Sequence, residues 1–578
     1  MPLLLAGATS VDWTAPAPTT APSVDSDSEV LARRRFDLSA LKLARSTTVQ
    51  PMAEISILPL MRPLPGKGNQ EVEEMGFDFS PDEALVQIFS EHRMDQLESI
   101  EFVSGNVLEV VGPPAVLEEF AALVKLVEKT VFDSTPVRVV RFEDSGDGPS
   151  GIVSIDALDQ HVARAGELRS RRTMQLLPGS LNQLHDVVEH DVIIGVDIQI
   201  AQGAAVSDTV VQQLSSGTSL WAMATRNGRG VQLAYALSSS RHAGSNGHTA
   251  SGEFTLSTES GGMRTMTGFE WEETFGLLGG VAAGEIELLP GEAMVLSVNA
   301  MGEGKRECVA ICLPKGINVS IDGATSPIGE KHVLWAGPAG STAIPGLRLS
   351  EFGTAKSRDT ELDTNEFGNH IVSAEVFGAD TRFMERVDSY TSFAEVAEIA
   401  GSVLITVPSA NVNKLRECVA ASFQQSASRL NVQISASADD QPLSQIGALG
   451  LTSGRTAGVS AGSERLIAVE NDVEVAQFAA CHDPIIKTHF EGLRASISLV
   501  QLQGGRLAYS IQGSLSTDID ESDLNIFGTD GMRKITSEML ILNDSGTKAQ
   551  EPGGGWTILL GDESGKGQRV ELKVRAVR

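Results

Sequence analysis

The feature of this sequence that most constrains its fold is an internal repeat. The segment Val196–Gly217 aligns without a gap with Asn471–Gly492, and the two segments share seven identical residues at matching positions. After one single-residue gap both continue into the tripeptide Leu-Ala-Tyr, at 233–235 and at 507–509. Chance does not readily place so many identities in one register. The sequence therefore predicts two tandem copies of one unit.

Each copy is predicted to begin with a strand, a helix and a strand. The apolar residues of the first helix recur at helical spacing and are Val116, Phe120, Leu123 and Val127; those of the second helix are Val412, Leu415, Val419 and Phe423. Ser409 is placed to cap the second helix. A further helix is predicted to begin at Ser80-Pro81, with Glu83 completing a capping box. Its apolar face would consist of Leu85, Ile88 and Phe89.

Downstream of each Leu-Ala-Tyr segment the chain alternates polar and apolar residues, which is typical of strands that bury one face. The predicted fold class is therefore α+β, with two tandem units that each consist of a small strand-helix-strand domain followed by an antiparallel β domain. The predicted domains are a disordered Pro/Ser/Thr-rich tail at 1–35, a first α/β domain at 36–150, a first β domain at 151–320, a linker at 321–345, a second α/β domain at 346–440 and a second β domain at 441–578.

Charge and hydropathy exclude two classes of partner. The 578 residues carry a formal net charge of −30, which argues against nucleic acid because phosphate binding needs a basic face. No window approaches about 18 consecutive apolar residues, so we expect no membrane-spanning segment. The first ten residues, MPLLLAGATS, have a short apolar core but no basic residue, and we interpret them as an atypical or clipped signal peptide.

The cysteines do not indicate a disulfide framework or a zinc site. The chain has only four, and they lack clustered spacing: Cys308, Cys312, Cys418 and Cys481. Cys308 and Cys312 lie in a predicted strand, where we interpret them as small buried hydrophobic residues.

Two short motifs resemble nucleophile sites. Gly458-Val-Ser460-Ala-Gly462 fits a nucleophile elbow, which needs a strand before the serine and a helix after it. Here a loop-like stretch (LGLTSGRTA) precedes the motif and a strand-like alternation follows it. Cys481-His482-Asp483 places a thiol beside an imidazole, but adjacent residues in a strand point to opposite faces.

Only the aspartate of that second motif recurs in the first copy, as Asp208, so Asp483 is predicted to order a turn at the end of a strand. We therefore predict no catalytic residue and no enzymatic activity. A hydrolase that uses Ser460 or Cys481 remains an alternative hypothesis.

Cofactor and metal motifs are incomplete. Gly561–Gly567 resembles a phosphate loop but has one residue too few between its glycines and no Ser or Thr after Lys566, so we predict a hairpin turn. The acidic clusters at 144–147 and 359–366 lack the pattern of a calcium loop and are predicted to be solvated. The ten histidines form no zinc motif. We predict no cofactor-binding residue, no metal ligand and no cofactor.

Several segments resemble bacterial secretins, the ring-forming proteins of type II and type III secretion systems and type IV pili. Leu176–Val188, followed by the aliphatic run 192–200, resembles the first hairpin of the secretin β domain. The segments 217–223 and 231–239 resemble its paired strands. Gly553–Gly561 and Gln568–Val577 resemble its last hairpin. In that family small ring-building domains of strand-helix-strand type precede the β domain, as they are predicted to do here in each of the two copies.

The sequence also departs from the secretin pattern. Only DESGKG (562–567) separates the last two strands, where secretins carry a segment near their membrane-inserted lip. Duplication of the whole unit is not the usual secretin layout either. The resemblance therefore implies a secretin-like scaffold that lacks the membrane-lip segment.

The function implied by this resemblance is that of a non-enzymatic structural component of a bacterial cell-envelope assembly, with a link to protein secretion. The chain would self-associate into a ring or layer as a homo-oligomer and contact other envelope or secretion-system proteins. Its implied location is the periplasm or the outer surface. The alternative is a monomeric β-domain module that binds a glycan or peptide at the cell surface. Such a module needs exposed aromatic residues, for which the candidates are Trp221, Trp271 and Trp335.

Overall fold

Antiparallel β-sheet makes up most of the described chain, and few helices accompany it. The computed structural model describes residues 31–39, 81–104, 107–131, 134–144, 148–164, 167–176, 182–201, 204–226, 229–242, 249–257, 263–271, 276–300, 306–319, 324–338, 395–399, 402–413, 416, 428–439, 441–475, 480–502, 504–526, 529–561 and 567–577. The predicted α+β class is thus mostly β. The strands form two small sheets and two large ones.

The first small sheet carries two helices. Its strand order is β1-β3-β2, and the strands are β1 (Ala32–Asp37), β2 (Ser99–Ser104) and β3 (Val107–Gly112). The helices are α1 (Pro81–Arg93), which a 3-10 turn (Met94–Gln96) follows, and α2 (Pro114–Val131). The apolar residues predicted for both helices are buried in one core, which confirms these two helices: Leu85, Ile88, Phe89, Val116, Phe120, Leu123 and Val127.

Strand β1 begins inside the segment that was predicted to be a disordered tail up to residue 35. Arg33 and Arg35 lie 3.1 Å and 2.8 Å from the carboxylate of Glu109 on β3. A run of arginines has the composition of a solvated tail, but here the opposite charge on the neighbouring strand holds it in the sheet. The earlier residues of the predicted tail lie outside the described residues, as does the predicted signal segment.

The second small sheet packs on the other side of the helices. Its order is β15-β16-β18-β17, with β15 (Thr325–Ile328), β16 (Lys331–Pro338), β17 (Glu395–Ile399) and β18 (Ser402–Pro408). Val333 and Leu404 are buried in the same core as Phe120. Arg93 of α1 donates to both carboxylate oxygens of Glu119 on α2, and that carboxylate also accepts the Gly329 backbone N–H at 3.1 Å.

Two predictions for this region were wrong in detail. Strands β15 and β16 occupy the segment predicted to be a linker, because short strands rich in Gly and Pro resemble loops in sequence. Ser409 does not cap a helix through its side chain: it lies in a 3-10 turn (Ser409–Asn411) and its Oγ donates to the Glu330 carbonyl oxygen at 2.7 Å. Most of the second predicted helix, including Leu415, Val419 and Phe423, lies outside the described residues.

The first large sheet has nine strands in the order β25-β26-β19-β20-β13-β14-β4-β6, with β5 paired to β13. They are β4 (Thr135–Asp144), β5 (Gly151–Ser154), β6 (Glu167–Leu176), β13 (Glu292–Ala300), β14 (Arg306–Cys312), β19 (Arg429–Ala438), β20 (Gln441–Thr452), β25 (Gly555–Gly561) and β26 (Arg569–Val577). Helix α3 (Ile155–Arg164) covers part of one face and buries Ile155, Leu158 and Val162 there. Strands β25 and β26 pair antiparallel, and most of the predicted turn between them, at 562–566, lies outside the described residues.

The second large sheet has ten strands. Its main path runs β7-β8-β9-β12-β21-β22-β23-β24, and the β10-β11 hairpin attaches to β22 through one bridge, between Thr267 and Cys481. The strands are β7 (Asn182–Ala201), β8 (Ala204–Arg226), β9 (Val231–His242), β10 (Thr249–Ser257), β11 (Met263–Trp271), β12 (Gly276–Leu288), β21 (Thr456–Val475), β22 (Ala480–Leu502), β23 (Arg506–Ile526) and β24 (Thr529–Ala549).

The two large sheets pack face to face around the largest core. Alternating residues of both sheets point into it, because successive side chains of a strand lie on opposite faces. Tyr235 and Trp556 are among its largest fully buried side chains. No helix in the described ranges is long and apolar enough to cross a membrane.

Candidate functional site

The candidate nucleophile Ser460 lies in the middle of β21, not on a strand-to-helix turn. Its side chain is fully buried, and its Oγ makes no hydrogen bond within the described part of the chain. The residues before the motif belong to β20, so the predicted loop is reduced to the turn at 453–455. A buried hydroxyl without a neighbouring base does not have the arrangement of an activated nucleophile.

The Cys481-His482-Asp483 motif lies at the start of β22, where it pairs with Asp472–Glu474 of β21. The side chains of these three residues lie outside the described ones, so the interpretation of the motif stays a prediction. Cys308 and Cys312 of β14 form no disulfide, and both are buried against α3, which confirms that they act as small hydrophobic residues.

Asp144 corrects one prediction about the acidic clusters. It is only 3% exposed and was predicted to lie in a solvated loop. Its carboxylate accepts the Gly148 backbone N–H at 2.7 Å and lies 2.9 Å from the His161 Nε2 atom. These partners offset the cost of burial, which sequence composition alone does not reveal. The 359–366 cluster lies outside the described residues.

The described part of the chain offers no metal centre, and one of the three candidate ligand-binding aromatic residues is buried. No three His, Cys, Asp or Glu side chains of that part converge as metal ligands. Trp221, a candidate for an exposed ligand-binding aromatic residue, is only 1% exposed. The prediction was wrong for this residue because it is buried on β8. It lies on the face opposite to the core residues Leu220 and Ala222, with its ring 5.5 Å from that of His185. The side chains of Trp271 and Trp335 lie outside the described ones.

The most distinctive surface is formed by the strands that end the two large sheets. Apart from the β10-β11 hairpin, the described path of one sheet ends at β7 and β24, and that of the other ends at β6 and β25. Strands β6 and β7 follow each other in the chain, as do β24 and β25. We call the pair β6 and β7 the leading edge, and the pair β24 and β25 the trailing edge. Each of these strands offers one side for pairing with a further strand.

The free edges expose large hydrophobic side chains. Val188 on β7 is 62% exposed and Ile541 on β24 is 61% exposed. Each of the four edge strands carries at least one such residue, since Leu168 lies on β6, Met539 on β24 and Leu559 on β25. Sheet edges are usually protected by charge, by proline or by a covering element, so exposed apolar residues at all four indicate a surface that binds something.

Two strand pairings inside the large sheets are buried, unlike the edge strands. Strand β12 pairs antiparallel with β21 from Gly276 opposite Arg465 to Ala283 opposite Gly458. Strand β13 pairs with β20 from Val298 opposite Ile446 to Ala300 opposite Ser444. We call these two pairings the internal joint. Its strands are buried: Val281 and Val459 are both fully shielded from solvent.

Ion pairs support the internal joint and the strands beside it. Arg429 of β19 is 7% exposed and pairs with Glu292, at the start of β13. Glu464 of β21 is 1% exposed and pairs with Arg494 of β22 at 3.2 Å. Burial lowers the pKa of the Arg494 guanidinium, and the carboxylate of Glu464 opposes that shift. The guanidinium also lies 3.8 Å from the centre of the Phe490 ring, a cation–π contact.

Two glycines in the long hairpins have positive φ angles and approach the neighbouring strand closely. Gly217 of β8 and Gly492 of β22 have φ values of +127° and +140°. A Cβ atom would lie 2.4 Å from the Asp186 carbonyl oxygen at the first and 2.3 Å from the Ala461 carbonyl oxygen at the second. Only glycine fits this close approach without strain. The two glycines are among the identities of the sequence repeat.

Sequence reasoning did not identify any of these strands as an edge strand. Val188 follows Val187, and Met539 and Ile541 belong to the apolar run 539–542, which is equally typical of a strand inside a sheet. Local pattern therefore does not separate an edge from a central strand. The sequence signal that could have identified them is the repeat, because it indicates which strands of one copy correspond to strands of the other.

Comparisons with known proteins find secretins among the solved structures. No protein-family model matches the chain, and no curated protein matches it. The InvG secretin domain β-barrel of the Salmonella SPI-1 injectisome is 11% identical with a TM-score of 0.15, over 37% of this chain and 70% of that one.

Two other secretin structures match over most of the chain. The AspS–GspD pilotin–secretin complex of ETEC is 7% identical with a TM-score of 0.18, over 95% of this chain and 88% of that one. ExeD of Aeromonas hydrophila is 9% identical with a TM-score of 0.16, over 95% and 89%. Since TM-scores this low do not establish a shared arrangement, the residues of the chain itself must carry any functional conclusion.

Proposed function

We propose that this chain is a secretin-like, non-enzymatic structural protein of a bacterial cell envelope, with a link to protein secretion. In this proposal it consists of two tandem copies of one unit and self-associates head to tail into a ring or layer. The observation that carries the proposal is the strand order of the large sheets. In both sheets the order of the second half repeats that of the first, and the outermost strands correspond to those of the internal joint.

The nine-stranded sheet supports the tandem arrangement. The four strands β25-β26-β19-β20 stand beside β13-β14-β4-β6. The C-terminal hairpin β25-β26 occupies the place that β13-β14 occupies in the other half, and the strand pair β19-β20 occupies the place of β4-β6. Strand β20 therefore corresponds to the free strand β6, and β13 corresponds to the free strand β25.

The ten-stranded sheet supports the same arrangement independently. Its path joins β7-β8-β9-β12 to β21-β22-β23-β24, and each half is a run of antiparallel strands. Strand β21 corresponds to the free strand β7, and β12 corresponds to the free strand β24. Both sheets thus join the halves in the same way. The strand that corresponds to the trailing edge, β12 or β13, pairs with the strand that corresponds to the leading edge, β21 or β20.

Head-to-tail contact is the physical basis of the proposed assembly. A contact between two different surfaces leaves one of each surface free, so it can be repeated by further copies. If the rotation between copies closes, the product is a ring; if it does not, the product is an open layer or filament. The exposed apolar residues of both edges supply the surface that such a contact would bury.

The non-enzymatic part of the proposal rests on the surroundings of the candidate nucleophile. Ser460 is buried within the internal joint, opposite Val281 of β12. Substrate would have to open that joint to reach it. The position in the bacterial envelope is what the resemblance of the hairpin motifs to secretins implies, and so are the further envelope or secretion-system partners.

Size-exclusion chromatography with light scattering tests this proposal on the purified full chain. We expect a homo-oligomer of several 61.2 kDa chains, and images of the same peak should show rings or sheets. The variants Val188→Lys and Ile541→Lys should each shift the peak toward smaller species, because a charge on an apolar edge opposes strand addition.

The matched control is Met94→Lys, a change of an exposed apolar residue in the 3-10 turn away from both edges. It should leave the oligomer unchanged. A wild-type chain that stays at 61.2 kDa at micromolar concentration would refute self-association.

A further inference from the structure

We infer that the contact between chains repeats the register of the internal joint, with β24 of one chain antiparallel to β7 of the next and Leu540 opposite Val188. This inference rests on the proposed self-association and adds to it the strands, their direction and the residue pairs. The contact between chains and the internal joint would then be built by corresponding strands of the repeated unit, and the sheet would continue from one chain to the next.

The correspondence between β7 and β21 follows from the two glycines with positive φ, Gly217 and Gly492. Gly217 on β8 lies opposite Val187 on β7, and Gly492 on β22 lies opposite Gly462 on β21. Because Gly217 and Gly492 are matching positions of the repeat, Val187 corresponds to Gly462. One residue further along, Val188 corresponds to Ser463.

The correspondence between β24 and β12 is fixed by the repeated tyrosines. Tyr235 lies opposite Gly284 on β12, and Tyr509 lies opposite Gly546 on β24. In each pair the tyrosine hydroxyl lies over the glycine, 3.3 Å and 3.1 Å from where its Cβ would be. Six residues before these glycines stand Leu278 and Leu540, which therefore correspond to each other.

The internal joint then gives the register between chains. Leu278 lies opposite Ser463 inside the chain, so Leu540 would lie opposite Val188 of the next chain. By the same transfer, the pairing of Gly276 with Arg465 places Glu538 opposite His190. A shift by one residue would turn every side chain to the other face, and a shift by two would change every residue pair.

The side chains brought together by this register suit one another. Leu540 is half-buried and Val188 exposed in the single chain, and pairing would cover both. Ile541 would lie opposite Val187, which adds a second apolar pair on the other face. Asp186 would lie opposite Leu542, but its carboxylate is already paired with Arg141, so no unpaired charge is buried.

The pair at the end of the register is polar on both sides. Glu538 is exposed on β24, and His190 on β7 is half-buried. The His190 Nε2 lies 2.8 Å from the Ser216 Oγ, its ring stacks on His242 of β9, and Glu189 adjoins it in the strand. Burial and His242 lower the pKa of His190, so the Glu538 carboxylate would lie opposite a neutral imidazole. A second carboxylate at that position would repel Glu538.

Disulfide trapping tests the register on the assembled full chain. In a background with the four native cysteines replaced by serine, the double variant Val188→Cys/Leu540→Cys should form a ladder of covalent oligomers on mild oxidation. The variant Val188→Cys/Glu538→Cys, which is shifted by two residues on the same strand face, should form little ladder. The variant Leu278→Cys/Ser463→Cys is the positive control, because it places the same pair inside one chain.

A charge exchange provides a second readout that needs no disulfide. His190→Glu should reduce the assembled fraction, since it would face Glu538 across the contact, and adding Glu538→Lys should restore it. Assembly with no Val188–Leu540 ladder, while the internal control oxidises, would overturn the register and leave the proposed function intact. Equal ladders in both registers, or no rescue by Glu538→Lys, would also overturn it. Absence of any oligomer in the parent protein would instead refute the proposed function.

Discussion

Residues at matching positions of the sequence repeat have different surroundings in the fold. The repeated Leu-Ala-Tyr segment shows this directly. The Tyr235 hydroxyl is fully buried and donates to the Gly450 carbonyl oxygen of β20 at 3.1 Å, so it links the two halves. The Tyr509 hydroxyl donates to the Asp544 carboxylate at 3.0 Å nearer the surface. Burial raises the pKa of Tyr235, which stays protonated and a donor.

Removing the Tyr235 hydroxyl should therefore cost more than removing that of Tyr509. We expect Tyr235→Phe to lower the free energy of unfolding by about 1 to 2 kcal/mol, because the buried Gly450 carbonyl loses its side-chain donor. Tyr509→Phe should cost less, since water can reach Asp544 in its place. Urea denaturation of both variants measures the difference, and equal losses would contradict this account of the two tyrosines.

Asp518 gives the chain a pH dependence that can be assigned. Burial raises the pKa of its carboxyl group, but hydrogen bonds with His489 and Ser537 and the charge of Arg465 outweigh this, and the pKa lies below 3.8. A carboxyl group with a lowered pKa adds stability above its unfolded-state value, and that stability is lost as the pH falls through the folded-state value.

We therefore expect Asp518→Asn to destabilise the protein by about 1 to 2 kcal/mol at pH 7. The difference from the wild type should shrink below pH 3.8, where the wild-type carboxyl group also becomes protonated. Unfolding curves from pH 7 down to pH 3 check this. A difference that stays constant over the whole range would show that the charge of Asp518 is not responsible.

At the level of strands, the long hairpins depend on glycines with positive φ angles that lie close to the neighbouring strand. We expect Gly492→Ala and Gly217→Ala each to lower the free energy of unfolding by about 2 kcal/mol, because a side chain at positive φ is strained and its Cβ would meet a backbone oxygen. Gly553→Ala is the control: its Cβ would meet nothing within 4 Å, and its φ is not in the positive range. Thermal unfolding of the three variants provides the comparison. A Gly492→Ala protein as stable as the wild type would contradict this account of the glycines.

The buried ion pair of β21 and β22 makes a second prediction for strands. Arg494→Ala should cost roughly 3 kcal/mol, since it leaves the Glu464 carboxylate buried without its partner. Lys315→Ala, which breaks the exposed pair with Asp156, should cost less than about 1 kcal/mol. The double variant Glu464→Leu/Arg494→Leu should recover part of the loss. If it were less stable than Arg494→Ala in urea unfolding, desolvation of Glu464 would not be the cause.

Strands and helices were largely predictable where the pattern was local. The apolar stripe of α2 and the alternation of β26 identify these elements because each depends only on neighbours in the chain. The partners of the strands were not predictable in the same way. Pairing of β12 with β21 joins residues nearly 200 positions apart, and nothing in either strand names the other. Ser409 shows the same limit, because its partner Glu330 lies far away in sequence.

On the scale of the whole molecule, charge should control the proposed assembly. Each chain carries a formal net charge of −30, so neighbouring chains repel one another at low ionic strength. Salt near 0.15 M shortens the screening length to about 8 Å and should increase the assembled fraction relative to about 0.01 M salt. Light scattering over this range measures the effect. Dissociation by added salt would show that ion pairs, not apolar edges, hold the chains together.

The candidate site emerges only when the repeat is placed on the sheets. The sequence repeat predicted two copies, but it did not show which strands face a neighbour and which remain free. The strand order of the described residues adds that information: β6, β7, β24 and β25 each pair with one strand only, and the strands that we propose as their counterparts, β20, β21, β12 and β13, pair on both sides. The central claim is that this joint is repeated between chains.

A cryo-electron microscopy structure of the assembled full chain tests that claim most directly. We expect β24 of each chain to continue the sheet onto β7 of the next, with Leu540 opposite Val188 and with the same geometry as Leu278 opposite Ser463 inside the chain. An ordered oligomer in which β7 and β24 both face solvent, or are covered by other elements, would contradict the account.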